Sequence, residues 1–193
     1  LSQNVVFLYN GKLPSEASVE FVPDNGWVEL IDNTGDKKYD VVLIYSYKNY
    51  YVELTETDEE GVRINSKSQS PVLVVTDSDT WTDTLVMKGD GTIMKPKDIK
   101  KGGLVSVFGN VVDGMLIAER LYYTTNSVEG VLDAYNADEN KVTIDKKLYQ
   151  YDVHLELTID NVLIGTYRKF MTDFTGKVAY VYEEQPSDYN QGV

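Results

Sequence analysis

The residues best suited to chemistry are Asp32, Thr34, Asp36, Lys38 and Asp40, in the run Asp32-Asn33-Thr34-Gly35-Asp36-Lys37-Lys38-Tyr39-Asp40. Carboxylates fall at positions 1, 5 and 9 of this segment, which leads straight into the apolar run Val41-Val42-Leu43-Ile44-Tyr45. Together with the Thr34 hydroxyl and the Lys38 backbone carbonyl, they offer oxygen ligands to a hard cation. Calcium takes about six to eight such oxygens in a flexible shell. Two positions depart from the calcium-loop pattern D-x-[DN]-x-D-G: Thr34 occupies the third, and Lys37 the sixth, where glycine usually supplies a positive φ that lysine opposes. Two readings therefore stay open: a calcium loop, or an acidic turn in which Asp32 caps its own neighbouring amides. No other cofactor is expected.

The remaining reactive side chains form no catalytic constellation. There are no cysteines, which removes disulfides, thiolate metal sites and cysteine nucleophiles together. His154 is the only histidine. No G-x-S-x-G elbow supplies a nucleophile for it, so it reads as a plain sheet residue. Gly89-Asp90-Gly91 reads as a hairpin turn, because no strand-to-helix phosphate loop follows. Asp77-Ser78-Asp79-Thr80-Trp81-Thr82-Asp83 reads as a solvated loop, with Trp81 either a half-buried ring or a sugar-stacking platform. The expectation is a protein that is not an enzyme.

The elements that would position these residues are β nearly throughout. Short β-branched and aromatic runs recur between Gly, Asn, Asp and Pro turns: Val5–Tyr9, Trp27–Ile31, Val41–Tyr47, Tyr50–Leu54, Gly61–Asn65, Pro71–Thr76, Leu85–Met87, Leu104–Phe108 and Met115–Tyr122. A second series holds Val128–Ala134, Lys141–Asp145, Leu148–Tyr151, Tyr167–Asp173 and Lys177–Tyr182. Thr55–Glu60 reads as a hairpin tip, and Pro96–Gly102 as a single helical turn. The phrases Ile99-Lys100-Lys101-Gly102-Gly103-Leu104 and Ile159-Asp160-Asn161-Val162-Leu163-Ile164-Gly165 each precede a strand and give the two halves a shared plan. The predicted fold is all-β with very little helix: two small tandem β-barrel or sandwich-like domains, the second OB-like or SH3-like. The predicted division is 1–125, carrying the acidic loop at 32–40, then 126–185, then a loose tail at 186–193.

Composition limits the partners. A net charge of −13 repels phosphate backbones, so nucleic acid is not expected. No apolar run approaches bilayer-spanning length, so membrane insertion is not expected. The opening Leu1-Ser2-Gln3-Asn4 is neither an initiator Met nor a signal sequence, and is expected to belong to a processed chain or a fragment.

The runs Phe7-Leu8-Tyr9-Asn10-Gly11-Lys12 and Pro23-Asp24-Asn25-Gly26-Trp27-Val28-Glu29-Leu30-Ile31, continuing through the acidic loop into Val41-Val42, resemble a repeating β module of clostridial-type Gram-positive cell-surface proteins. Such modules accompany S-layer homology domains or sit in copper amine oxidase-like N-terminal domain proteins. Asp98-Ile99-Lys100-Lys101-Gly102 and Gly176-Lys177-Val178-Ala179-Tyr180-Val181 are similar to that family too. The specific part is Pro23 to Tyr51. The resemblance implies an extracellular, cell-surface location, a structural or assembly role, and other protein modules of the same surface as partners. It brings no copper, because copper sites favour histidine and His154 stands alone. The alternatives are a virion, phage-tail or surface-filament module assembling through tyrosine-rich strand edges, and a carbohydrate-binding accessory domain facing cell-wall polysaccharide.

Overall fold

A computed structural model describes residues 1–13, 22–59, 61–66, 71–75, 84–112, 114–155 and 162–182. The Asp77–Asp83 stretch with Trp81 and the tail 186–193 lie outside the described residues. The fold is all-β. A nine-stranded sheet holds β1 (Val6–Tyr9), β2 (Gly26–Ile31), β3 (Val41–Tyr51), β4 (Leu54–Thr57), β5 (Gly61–Asn65), β6 (Val72–Val75), β7 (Leu85–Lys88), β8 (Leu104–Val112) and β9 (Met115–Thr124). A five-stranded sheet holds β10 (Ser127–Asn136), β11 (Lys141–Ile144), β12 (Lys147–Gln150), β13 (Tyr167–Thr172) and β14 (Val178–Val181). Among the described residues, helix is confined to 3-10 turns at Pro96–Asp98 and Val153–Leu155. His154 lies in the second of these, so it is a turn residue and not the sheet residue expected.

The small sheet runs β12-β11-β10-β13-β14. The first half of β10 pairs with β13 and its second half with β11, across a bulge at Leu132/Ala134. The end of β12 meets β14 through one parallel bridge, Tyr151 to Val178. First strand beside second and fourth, third strand meeting fifth in parallel: this is the order of an OB-type sheet, a partly open five-stranded barrel.

The large sheet repeats that order. β3 pairs with β8, β8 with β9, β9 in parallel with β6, β6 with β5, and β5 with β4. β3 and β4 are one strand path bent at Val52 and Glu53, and they take the part that β10 takes alone. The hydrogen-bonded path thus stays open, and neither sheet is a closed barrel. Side chains from flank to flank still converge on one core, with Val52, Ile64, Val74, Val105 and Leu121 in a single cluster, so the sheet is strongly curled. β1 and β2 extend it by pairing with the first half of β3, and β7 adds to β9.

The shared phrase marks the equivalent turn in both sheets. Gly102 donates to the Val52 carbonyl at 2.8 Å, and Gly165 to the Leu132 carbonyl at 2.8 Å. Gly103 bonds Lys100 O, and Thr166 bonds Leu163 O, in the same frame. Gly102 and Gly165 sit at φ +87° and +86°, the left-handed region that glycine reaches at least cost. Three residues earlier, Ile99 and Val162 each drop into their own sheet's core. The apolar-x-x-Gly spacing in both halves is the sequence trace of one turn used twice.

Two element boundaries differ from the sequence reading. Val41–Tyr47 and Tyr50–Leu54 are not separate strands, because β3 runs unbroken to Tyr51. Lys48 and Asn49 interrupt the apolar pattern but not the ladder, whose register with β8 holds from Tyr47 to Tyr51. The hairpin tip predicted over Thr55–Glu60 is shorter, because β4 continues to Thr57 and pairs with β5.

Candidate functional site

Side chains on a strand alternate between faces. On β3, Tyr50 points into the core of the large sheet, which leaves Tyr47, Asn49 and Tyr51 on the other face. β8 alternates likewise: Val105 and Val107 are core, while Ser106 and Phe108 lie beside Asn49 and Tyr47 in register. Tyr122 on β9 adjoins Ser106. Asn25 joins this face from the Pro23–Gly26 turn. There Gly26 sits at φ +143°, and a Cβ would overlap the Tyr45 carbonyl oxygen, so the chain needs glycine to come this close to β3.

The small sheet meets this face with two carboxylates that are nearly sealed from solvent, Asp152 at 2% exposure and Asp173 at 1%. Asp152 follows β12. Its Oδ1 accepts from Asn25 Nδ2 at 2.8 Å and from the His154 amide at 2.9 Å, and its Oδ2 accepts from Asn49 Nδ2 at 2.8 Å. Asp173 opens the β13–β14 turn. Its Oδ1 takes the Thr175 amide (2.8 Å), the Thr175 hydroxyl (2.6 Å) and the Lys177 amide (3.0 Å). Its Oδ2 takes the Tyr47 hydroxyl at 2.9 Å and Asn49 Nδ2 at 3.4 Å. Ser106 Oγ donates to Asn49 Oδ1 at 2.6 Å, and Lys177 Nζ to Asn25 Oδ1 at 3.0 Å. Burying a carboxylate is costly unless hydrogen bonds replace its water, and here both are fully supplied.

Aromatic rings flank the polar patch. Phe174 stacks on Tyr122 at 4.2 Å between centroids and meets Tyr47 edge-on at 5.2 Å. At the other end Tyr51 stacks on Tyr180 at 4.1 Å and meets Tyr182 at 5.8 Å. Five of the fifteen tyrosines, Tyr47, Tyr51, Tyr122, Tyr180 and Tyr182, thus meet at the seam between the two sheets. Chemically, the arrangement holds two surfaces in register: its acceptors are committed to donors across the seam or within the turn, and its carboxylates do not face open solvent. Neither Asp152 nor Asp173 stands out in the sequence pattern. The usable signal was Asp173 two residues before Thr175, the spacing of a side chain that folds back on its own turn.

Burial pushes the Tyr47 hydroxyl well above the ordinary tyrosine value, and the adjacent Asp173 charge adds to the rise. Burial also raises Tyr50 and Tyr51. A group whose folded pKa exceeds its unfolded value stabilises the fold fully below the unfolded pKa and loses that contribution as pH rises. The unfolded value is 10.0, so stability is expected to fall as pH rises past 10, and Tyr47→Phe is expected to lessen the slope. Urea midpoints measured between pH 8 and 11 check this; an identical slope in the variant would contradict it.

The acidic loop is built differently. Asp32 Oδ1 accepts the Gly35 amide at 2.6 Å and the Thr34 amide at 3.1 Å, and its Oδ2 accepts the Lys37 amide at 2.9 Å. Asp40 Oδ2 accepts the Asn33 amide at 2.9 Å. The Thr34 hydroxyl lies 3.4 Å from an oxygen of each carboxylate and can donate its one proton to either. Asp36 caps the Lys38 amide at 2.9 Å instead of joining them. Lys37 adopts φ +65°, the left-handed conformation that lysine was expected to oppose. Among the described residues no group of three or more His, Cys, Asp or Glu stands where it could hold a metal ion.

Partial desolvation pushes the Asp32 carboxyl up, but the Gly35, Lys37 and Thr34 amides outweigh it and hold the carboxyl below its ordinary value. Such a group stabilises the fold above its unfolded pKa and loses that contribution as pH falls through the folded value. Asp32→Ala is therefore expected to lower the melting temperature at neutral pH, and the gap from the parent protein to close below pH 3.8. A gap that persists at pH 2 would contradict this reading.

The fold and the seam together define an all-β protein of two sheets with OB-type strand order, joined by a buried polar junction. No family model, curated protein or solved structure matches the chain, so the likeness to OB-type sheets is one of strand order.

Proposed function

We propose that this chain is a non-enzymatic structural module of an extracellular bacterial surface assembly, built to hold its two sheets in one orientation. The observation that carries this reading is the state of Asp152 and Asp173. They are the buried carboxylates among the described residues, and their oxygens are spent on bonds that join the sheets or close the turn. A catalytic acid needs access to substrate and a free position for a proton; a brace needs neither. The dispersed acidic surface suits a hydrated exterior, and the resemblance of Pro23–Tyr51 to Gram-positive surface modules supplies the location and the partners, which are further modules of the same surface.

Two measurements test this. Small-angle scattering and NMR relaxation of the purified chain are expected to show both sheets tumbling as one body; independent tumbling would remove the structural role. Antibody raised against the chain is expected to label intact cells of the organism that makes it, and labelling only after lysis would remove the surface location. A calcium role for the Asp32 loop has its own readout: a melting temperature raised by millimolar calcium and restored by chelator supports it, and no shift rejects it.

A further inference from the structure

Beside the seam lies an open cleft of about 370 Å³, walled on one side by Gly26, Trp27 and Tyr47 and on the other by β12 and the β13–β14 turn. That volume falls within the ordinary range for small-ligand sites, about 300–1,000 Å³. Its position in the small sheet is specific. Counting β10 as the first strand, the cleft is bordered by Leu148, Tyr149 and Gln150 on the third strand and by Thr175, Gly176 and Lys177 in the loop between the fourth and fifth. OB-type sheets bind extended oligomers, nucleotides or sugars, across the face of strands two and three and against that loop. The seam spends Asp173 and Phe174 from the loop on the large sheet, and leaves Thr175 and Lys177 on the cleft side.

We infer that this cleft is a binding site for an extended, uncharged polysaccharide chain. The linings supply the two elements that sugar recognition needs. Trp27 is 36% exposed, large for a ring fixed by a stack on Tyr45 at 4.9 Å and an edge contact with Phe108 at 5.5 Å. It is a pre-set apolar plate whose electron-rich face suits the C–H face of a pyranose. Leu148, 58% exposed, extends the apolar surface on the opposite wall. Gln150 offers its amide; Thr175 Oγ, whose proton goes to Asp173, offers an acceptor; and Lys177 offers the ammonium protons that Asn25 does not take. A nucleic-acid strand would stack equally well but needs cations along its phosphates. Among the described residues the cleft lining contains Lys177 alone as a cation, its Nζ already donating to Asn25, in a chain of net charge −13. This goes beyond the structural role: a module that holds its sheets rigid also holds the cleft walls at a constant spacing, and that spacing selects a linear glycan.

The test is titration of the intact chain, in a Trp81→Phe background so that emission reports Trp27, with cellohexaose, xylohexaose and chitohexaose, alongside co-sedimentation with purified peptidoglycan sacculi. At least one of these glycans is expected to change Trp27 emission saturably, with affinity little changed between 50 and 500 mM salt. Trp27→Ala is expected to weaken binding by about two- to tenfold, as the loss of one aromatic stack implies. Because Trp27→Ala also removes packing, the exposed Leu148→Asp and Gln150→Ala variants repeat the test, while Ile93→Ser, at an exposed residue outside the cleft lining, is expected to bind normally. No binding to any of these glycans or to sacculi would overturn the inference. So would binding that both exposed variants leave intact, or tighter binding of oligo-dT than of the glycans.

Discussion

Asp173→Ala is expected to destabilise the protein by about 3–5 kcal/mol, the range for removing one member of a buried charged network. The Asp173 carboxylate is 1% exposed and takes hydrogen bonds from Tyr47, Asn49, Thr175 and Lys177. Alanine leaves the buried donors Tyr47 and Asn49 without this acceptor, and each buried donor left unsatisfied costs about 1–3 kcal/mol. Some relief comes from water, because the cleft at Thr175 and Lys177 opens beside the turn. Tyr47→Phe removes only the hydroxyl and is expected to cost about 1–2 kcal/mol. A double-mutant cycle between the two positions is expected to give a coupling energy within the range of about 0.5–3 kcal/mol found for residues in one network. Urea unfolding of the four proteins measures all of these quantities. A loss under about 1 kcal/mol for Asp173→Ala would mean that the seam is wet and that the carboxylate is ordinary surface.

That result would bear on the part of the molecule least legible in the sequence. The strands were legible because their signals are local: apolar alternation over a few residues, ended by Gly, Asn or Pro. The shared plan of the two halves was legible in outline from the phrases starting at Ile99 and Ile159, but the turns themselves align Ile99 with Val162, three residues before a left-handed glycine in each half. The acidic loop was legible as a compact self-contained turn, and Lys37 shows the limit there: three amide bonds to Asp32 hold a conformation that residue preference opposes. The seam was not legible. Lys48 and Asn49 read as a polar break between two strands, and nothing nearby shows that Tyr47, Asn49 and Tyr51 share one strand face that meets a second sheet. The Asn49–Asp152 bond spans 103 residues, and the Tyr47–Asp173 bond 126. A buried polar pair at such separation leaves no periodic trace, because hydrogen-bond satisfaction is a property of the assembled fold.

Phe170→Ala asks how strongly the seam ties the two sheets together. Phe170 is fully buried among Leu132, Ile144, Tyr151 and Val178, and emptying that space is expected to cost about 3–5 kcal/mol. A single sheet running from Ser127 to Val181 is small enough that its core supplies about that much and no more. In the variant, β10–β14 should therefore lose order at 25 °C unless the large sheet holds them. Among the described residues, the large sheet's cluster, from Tyr50 to Leu121, draws no side chain from beyond β9, and it should stay folded alone. The expected spectrum is selective: amide signals of β10–β14 collapse, those of β5, β6, β8 and β9 persist, and Tyr47, Asn49 and Ser106 shift as their buried partners give way to water. Intact signals from both sheets would mean that the seam contributes several kcal/mol beyond the small core. Loss of both together would mean that the nine-stranded sheet depends on the seam for its own fold, which its separate core argues against.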